Sequence, residues 1–246
     1  RCREKGMERE LSYDLHIHSC LSPCGDDDMT PGNIVGMAAI KGLDVITVTD
    51  HNSCRNCPAV LKLAEQYGVL AIPGMELTTA EEVHAVCLFS ELSAAMEFDR
   101  FVYEKLMKFP NREEIFGKQQ IMNEEDICIG TEPNLLINST ELSFDELWDI
   151  VTGQYGGVMI PAHIDKNANS LISNLGFVPP ESQFRTAELH DMAALEELKK
   201  SNPYLEQCRI ICDSDAHYLE HIHEPEWKMK VREKSAKAVI AYLRGE

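Results

Sequence analysis

The sequence is short of positive charge. Lys and Arg number 23 against 41 Asp and Glu, which gives a formal net charge of −18. A non-specific nucleic-acid binder needs a basic surface, so nucleic acid is an unlikely partner on composition. No apolar run approaches the ~18 residues of a membrane-crossing helix, so no membrane partner is expected. Residues 1–10 are charged and no apolar stretch follows them, so there is no signal-peptide pattern; Met7 could be a natural start, with Arg1–Gly6 as an upstream extension. Aromatic residues make up only 7% of the chain, but 44% is hydrophobic and 26% charged, enough to bury a large core across 246 residues. The nine cysteines are an odd number without an export signal, which argues for free thiols and a reducing, cytoplasmic setting rather than a disulfide framework. Acidity also suits a protein that holds several divalent cations.

Strand and helix patterns alternate along the chain. Residues 13–18 read as a strand. Thr30 and Pro31 open a helix that Gly42 closes. Residues 45–49 form a β-branched strand of the buried parallel type. A helix over 58–66 ends at Gly68, and strands follow at 69–73 and 83–89. A helix over 92–108 and a hairpin, with strands 118–122 and 127–130, interrupt the rhythm. The acidic, irregular stretch 92–140 therefore reads as an insertion that caps a site within one domain spanning 1–246. Ser143 and Glu146 make a capping signal for a helix to about Gln154. Strands at 158–162, 187–189 and 209–212, with helices over 191–200 and 233–243, complete an α/β pattern. It fits a parallel, incomplete or distorted TIM-like barrel, with an open doubly wound sheet as the alternative.

Metal-ligand residue types recur where these strands end. His16 and His18 lie two apart on a strand and so project to one face. His51 follows the second strand, Glu76 the third, His84 begins the fourth, His163 ends the strand at 158–162, and Asp215 and His217 follow 209–212. Any one of these has an ordinary alternative: a satisfied core histidine for His84, a solvated charge for Glu76, a helix cap for Asp215. Their recurrence in register with the strand ends favours ligands. The set is too large for one ion and fits two or three cations bridged by a carboxylate. His221 and His223 read as a solvated loop, and His190 has no evident partner. The loop cysteines Cys20, Cys24, Cys54 and Cys57 could form a four-cysteine zinc or iron–sulfur site, or stand as free thiols at a pocket rim.

These residues carry a family resemblance. Asp14-Leu15-His16-Ile17-His18-Ser19, Thr49-Asp50-His51, Gly74-Met75-Glu76, the His84 strand, Pro161-Ala162-His163 and Ser214-Asp215-Ala216-His217 follow one another as in the PHP (polymerase and histidinol phosphatase) family, which the chain resembles over nearly its whole length. The resemblance implies a distorted (βα)7 TIM-like barrel with up to three zinc, manganese or iron ions at one mouth. It puts His16, His18, Glu76 and Asp215 on the first ion, Glu76, His84 and His163 on the second, and His51 and His217 on a third. The remaining ligand of the third is Cys24 or Asp26, where the family usually supplies Asp or His. The activity implied is hydrolysis of a small-molecule phosphomonoester or nucleotide by a hydroxide bridging two metals. Glu76, Asp215 and His217 would be catalytic, with Asp215 orienting the nucleophile and His217 or His51 protonating the leaving group. Lys166, Arg55 and Arg185 are candidates to bind substrate phosphate. The alternatives are a PHP-type nuclease or proofreading module, a metal hydrolase acting on a C–N or C–O bond, and a metal- or redox-sensing module built on the loop cysteines.

Overall fold

The computed structural model describes residues 8–246, so the Met7 start lies outside the described residues. Strand β1 (Arg9–Ile17) is buried from Leu11 onward and pairs in parallel with β2 (Val45–Val48), which pairs in parallel with the short β3 (Leu70–Ala71). Between β1 and β2 runs α1 (Pro31–Lys41). The Thr30 hydroxyl accepts from the Asn33 N–H at its start, and Gly42 adopts the left-handed conformation (φ 79°) at its end. Helix α2 (Cys57–Tyr67) ends the same way at Gly68.

The next segment departs from the expected parallel order. Strands β4 (Gly74–Thr78) and β5 (His84–Leu88) form an antiparallel hairpin in which Glu76 faces Val86 and Thr78 faces His84. Glu76 therefore lies inside a strand rather than after one. The linker explains the reversal. Parallel neighbours need a crossover of a dozen or more residues, whereas Thr79–Val83 is a tight turn closed by Thr79 N–H donating to Val83 O at 2.9 Å. Strand β5 is in turn antiparallel to a strand beyond the expected insertion.

Within that insertion, helix α3 (Leu92–Lys105) buries Ala95, Phe98 and Val102 in the main core, so it belongs to the body of the domain. After the short α4 (Glu113–Phe116), strands β6 (Gln120–Met122) and β7 (Cys128–Thr131) form the expected hairpin. The hairpin packs on the loops that follow β1 and β2. Gln120 N–H donates to Cys20 O, Met122 N–H to Asn56 Oδ1, and Asp126 accepts from Thr30 Oγ1 and Gly32 N–H at the start of α1.

Ser143 and Glu146 make the expected capping box for α5 (Phe144–Trp148), which continues as a π-helical turn to Gln154. Strand β8 (Val158–Pro161) completes the β4–β5–β8 sheet, and α6 (Leu171–Leu175) follows it. Strand β9 (Thr186–Leu189), helix α7 (Leu195–Ser201) and strand β10 (Arg209–Cys212) make a parallel pair with its crossover. The final strand, β11 (Lys228–Val231), was not expected. It is antiparallel to β1, with Lys228 and Lys230 outward and Met229 and Val231 inward, and α8 (Ala236–Arg244) packs behind it.

The result is a mixed α/β fold. Its sheets meet at the ends that carry the ligand-type residues. Ile17 bridges Ala216, His51 bridges Glu76, and Ile164 N–H donates to Glu188 O. Hydrophobic clusters fill the space on both sides of these strands, around Phe98 and Phe184 on one side and Leu15 and Ile160 on another.

Candidate metal centre

The strand-end residues converge. His16 and His18 are fully buried, and their Nε2 atoms face each other 3.2 Å apart. Around that point stand Glu76 oxygens at 3.4 and 3.2 Å and Asp215 Oδ1 at 3.4 and 3.1 Å from the two nitrogens. The opposite ring nitrogens are held from behind. His16 Nδ1 lies 3.0 Å from each Glu188 oxygen, and His18 Nδ1 lies 2.9 Å from Ser22 Oγ. A carboxylate partner at Nδ1 fixes the tautomer that leaves the Nε2 lone pair free. Without a cation, burial opposes charge on both rings, but Glu188, Glu76 and Asp215 outweigh it for His16, and Asp215 and Glu76 raise His18 to about 9. A divalent ion at this point would replace those protons and face the same carboxylates, so the donor set fits one.

Three groups of donor atoms lie within 4.8 Å of one another: His16, His18, Glu76 and Asp215; His51, Glu76 and His84; and His18, Cys24, His51 and His217. Glu76 is shared by the first two, as a bridging carboxylate would be. His163 Nε2 lies 3.1 Å from Glu76 Oε1, and His84 Nδ1 lies 2.8 Å from it. The geometry thus adds His51 to the second group and leaves His163 beside it. Buried His51 Nδ1 is 3.2 Å from Glu76 Oε2 but forms no hydrogen bond, so both atoms remain available to a common ion.

The loop after β1 settles where Cys24 and Asp26 point. Cys24 joins the third group, whereas Asp26 turns back to accept from Asp28 N–H at 2.9 Å. Gly25 is required between them, because a Cβ there would stand 2.3 Å from Ser19 O. Two ligand-type residues have left-handed backbones, His163 (φ 29°) and Asp215 (φ 51°). Such conformations cost on the order of 1–3 kcal/mol each and concentrate at functional sites. Glu188 helps hold the first by accepting the His163 N–H at 2.9 Å.

The electrostatics suit cation binding. Burial opposes ionisation of Glu76, but His84, His16 and His51 outweigh it and hold the carboxyl well below the usual range. Burial also opposes the Asp215 charge, and His16 and His18 likewise keep it ionised. Burial and the neighbouring His18 push His217 down to about 4, so its ring is neutral. Its Nδ1 faces Asp215 O at 2.7 Å, which leaves Nε2 with the lone pair. His217 Nε2 is thus free to accept a cation. Enclosure of its sulfur by the cluster, with Glu76 beside it, pushes the Cys24 thiol up to about 12, although the residue as a whole is exposed.

A cleft of about 460 Å³ opens over the cluster, walled by Ile137, Lys166, Asn167 and Asn169 together with Cys24, His51 and His217. A larger groove of about 1010 Å³ lies beside β11 and α8 and touches none of the strand-end histidines. Of the expected phosphate binders, only Lys166 reaches the cleft, with Nζ 2.5 Å from Asp215 Oδ2. Arg55 does not. It pairs with buried Glu132 and with Asp99 and stacks 4.7 Å over the Tyr103 ring, anchoring the inserted segment. Arg185 does not either; it precedes β9, at the end away from the histidines, and donates to Gln207 Oε1.

The four loop cysteines do not assemble. Among the described residues, no donor group contains two of them. Cys54 and Cys57 are buried in the core, with both thiols directed at Gly74 O (3.3 and 3.4 Å), and Cys20 points to Gln120 O. The reason is local: Cys57 opens α2 on its buried face, and Cys54, in the loop just before it, joins the same core cluster.

Glu188 and Asp50 were missed in the sequence. Asp50, fully buried, accepts from Ser19 N–H, Ser19 Oγ and Ser22 Oγ at 2.6–2.7 Å and so orients the serine behind His18. Glu188 lies two residues before exposed His190 on a strand buried at every position. A carboxylate in such a strand was the signal.

A buried cluster of imidazoles shares one carboxylate at the bottom of an open cleft, a donor set suited to divalent cations. The PHP domain family matches residues 14–222, and the chain belongs to that family. An uncharacterised protein of Methanocaldococcus jannaschii is 37% identical over 79 residues, 29% of this chain and 46% of its own length. Among solved structures, the lesion-specific endonuclease PfuEndoQ from Pyrococcus furiosus is similar over 96% of this chain and 56% of its own (TM-score 0.64, 18% identity). A structure of endonuclease Q with a 27-mer duplex carrying an abasic lesion is similar over 96% and 57% (TM-score 0.67, 19% identity). A candidate metal-dependent phosphoesterase from Bifidobacterium adolescentis is similar over 86% and 90% (TM-score 0.50, 15% identity). The chain thus spans about half the length of the curated relative and of the endonuclease Q chains. No helix among the described residues is long and apolar enough to cross a membrane.

Proposed function

We propose that this chain hydrolyses small phosphate esters, with the strand-end cluster as a multi-metal centre. The carrying observation is Lys166, a cation at the mouth of the cleft and 2.5 Å from Asp215, a ligand-type carboxylate. Asp215 opposes burial to keep Lys166 protonated. Its ammonium can take a phosphoryl oxygen while Asn167 and Asn169 offer neutral donors on the same wall. Cations held by these residues would supply Lewis acidity and lower the pKa of water. Glu76 and Asp215 hold the charge balance, Asp215 orients the attacking water, and Glu188 and Ser22 keep the two first histidines aimed.

In this reading the strands β1, β2, β4, β5, β8, β9 and β10 are the seven staves of a distorted TIM-like barrel, and the segment 106–140 is the cap that brings Ile137 over the cleft. A cleft of about 460 Å³ suits a phosphomonoester or a nucleotide.

The second reading is a nuclease, favoured by the endonuclease Q likeness, whose described substrate is a DNA duplex. Among the described residues, Lys166 is the one Lys or Arg on the cleft wall, and the net charge is −18, which favours the smaller substrate. A hydrolysis screen decides between them. Phosphomonoesters, nucleotides and an abasic-site duplex are incubated with the protein loaded separately with manganese, zinc or iron. Phosphate release from the small esters supports the proposal. Cleavage of the duplex with no release from any small ester refutes it.

A further inference from the structure

We propose that Cys24 is a thiolate ligand and that it makes the third metal position a zinc site chemically distinct from the other two. This rests on the metal-centre reading above and adds the identity of one ion. The three donor groups differ in softness. The first two each contain Glu76, whereas the group around Cys24 contains a thiol and imidazoles and no carboxylate. His18 Nε2 already faces the first group. Cys24 and His217 are therefore the donors particular to the third, with His51 shared between it and the second, and an open position toward the cleft.

Each ligand is prepared. Gly25 permits the turn that delivers the thiol, since any Cβ there would collide with Ser19 O at 2.3 Å. The Asp26 N–H donates to His217 O at 3.0 Å, tying the Cys24 loop to the loop that carries His217. The Asp215 carbonyl fixes the His217 tautomer. A thiolate with two imidazoles selects a borderline-soft ion such as zinc, whereas the carboxylate-containing groups also accept manganese. On binding, the Sγ–H bond breaks, an Sγ–metal bond forms, and one proton leaves to solvent.

Metal-free, reduced protein titrated with cobalt(II) tests this without reference to activity. Exposed Cys128 and the terminal Cys2 are first replaced by Ser, which leaves Cys24 as the exposed thiol of the described residues. The expected result is a thiolate-to-cobalt charge-transfer band in the near ultraviolet, discharged by about one equivalent of zinc. Cys24 should lose its reactivity toward an aromatic disulfide reagent at the same equivalence point. Cys24→His should keep the cation and lose the band. Cys24→Ala should lose the band and weaken zinc at one site by more than the roughly 10–100-fold typical of an outer-shell change. Cobalt bound at full stoichiometry with no band and a freely reactive Cys24 overturns the proposal, as does an Asp26→Asn variant that alone loses the third equivalent. The band can be present without phosphate-ester hydrolysis, or absent with it, so failure here and failure of the functional reading are separable.

Discussion

Glu188 grips His16 with both carboxylate oxygens, each 3.0 Å from Nδ1, and accepts the His163 N–H with one of them. One buried side chain thus positions a ligand of the first group and the residue beside the second. Replacing it by Gln keeps the shape and removes the charge. Glu188→Gln is expected to weaken cation binding about 10–100-fold, as outer-shell partners do, with activity recovering at high metal concentration. Isothermal titration of the metal-free variant measures it. Unchanged affinity would show that His16 needs no support from behind.

Lys166 is expected to act on substrate and not on the cations. Loss of one charge-assisted hydrogen bond costs about 1.5–3 kcal/mol, or roughly a 10–150-fold rise in KM for a phosphomonoester. Lys166→Met should show this rise with bound metal unchanged. A loss of metal without a change in KM would instead make Lys166 a partner of Asp215 only.

Arg55 should behave in the opposite way. Its partner Glu132 is almost fully buried and also accepts from Tyr103 Oη at 2.8 Å and Asn134 N–H at 3.0 Å, so it stays partly satisfied without the arginine. Arg55→Ala is expected to destabilise the fold by about 2 kcal/mol and to leave KM for phosphate esters unaltered. Denaturant unfolding and steady-state kinetics on the same preparation separate the two effects.

Asp44 ties the end of β1 to the tail of the chain. Partial burial pushes its carboxyl up, but the Ser12 N–H and hydroxyl and the Lys234 ammonium outweigh this and hold it below the usual range. A carboxylate depressed in the folded state contributes stability above its unfolded pKa of about 4 and loses it as pH falls. The stability gap between the wild type and Asp44→Asn should therefore be present at pH 7 and close as pH falls below about 4. A gap that persists at pH 2 would mean the carboxyl contributes by its shape.

Much of the site was legible because its residues are local to strand ends. His16 and His18 declare themselves by two-residue spacing, and Asp215 and His217 by their place after β10. What stayed hidden depends on contacts distant in sequence. Glu188 meets His16 across 172 residues, and nothing near either one announces the other. Arg55 was a candidate phosphate binder, yet its partner Glu132 lies 77 residues on. The fold shows the same division. Helix starts and stops at Thr30, Gly42, Gly68 and Ser143 were readable from local chemistry. The antiparallel β4–β5 hairpin was obscured because residues 69–73 read as the third strand with Glu76 after it, so that Gly74–Thr78 passes for loop and the short linker Thr79–Val83 does not stand out. Lys228-Met229-Lys230-Val231 alternates as an edge strand should, but four residues beside a histidine-rich loop gave a weak signal.

The most direct test is metal content and phosphate release measured together on wild type and Glu76→Ala. Wild-type protein should hold at least two cations per chain, lose phosphate-ester hydrolysis when they are chelated, and regain it on reconstitution. Glu76→Ala, lacking the carboxylate shared by two donor groups, should lose both the second cation and the activity. A Glu76→Ala chain that keeps its full metal content and hydrolyses phosphate esters at the wild-type rate would contradict the metal-centre mechanism outright.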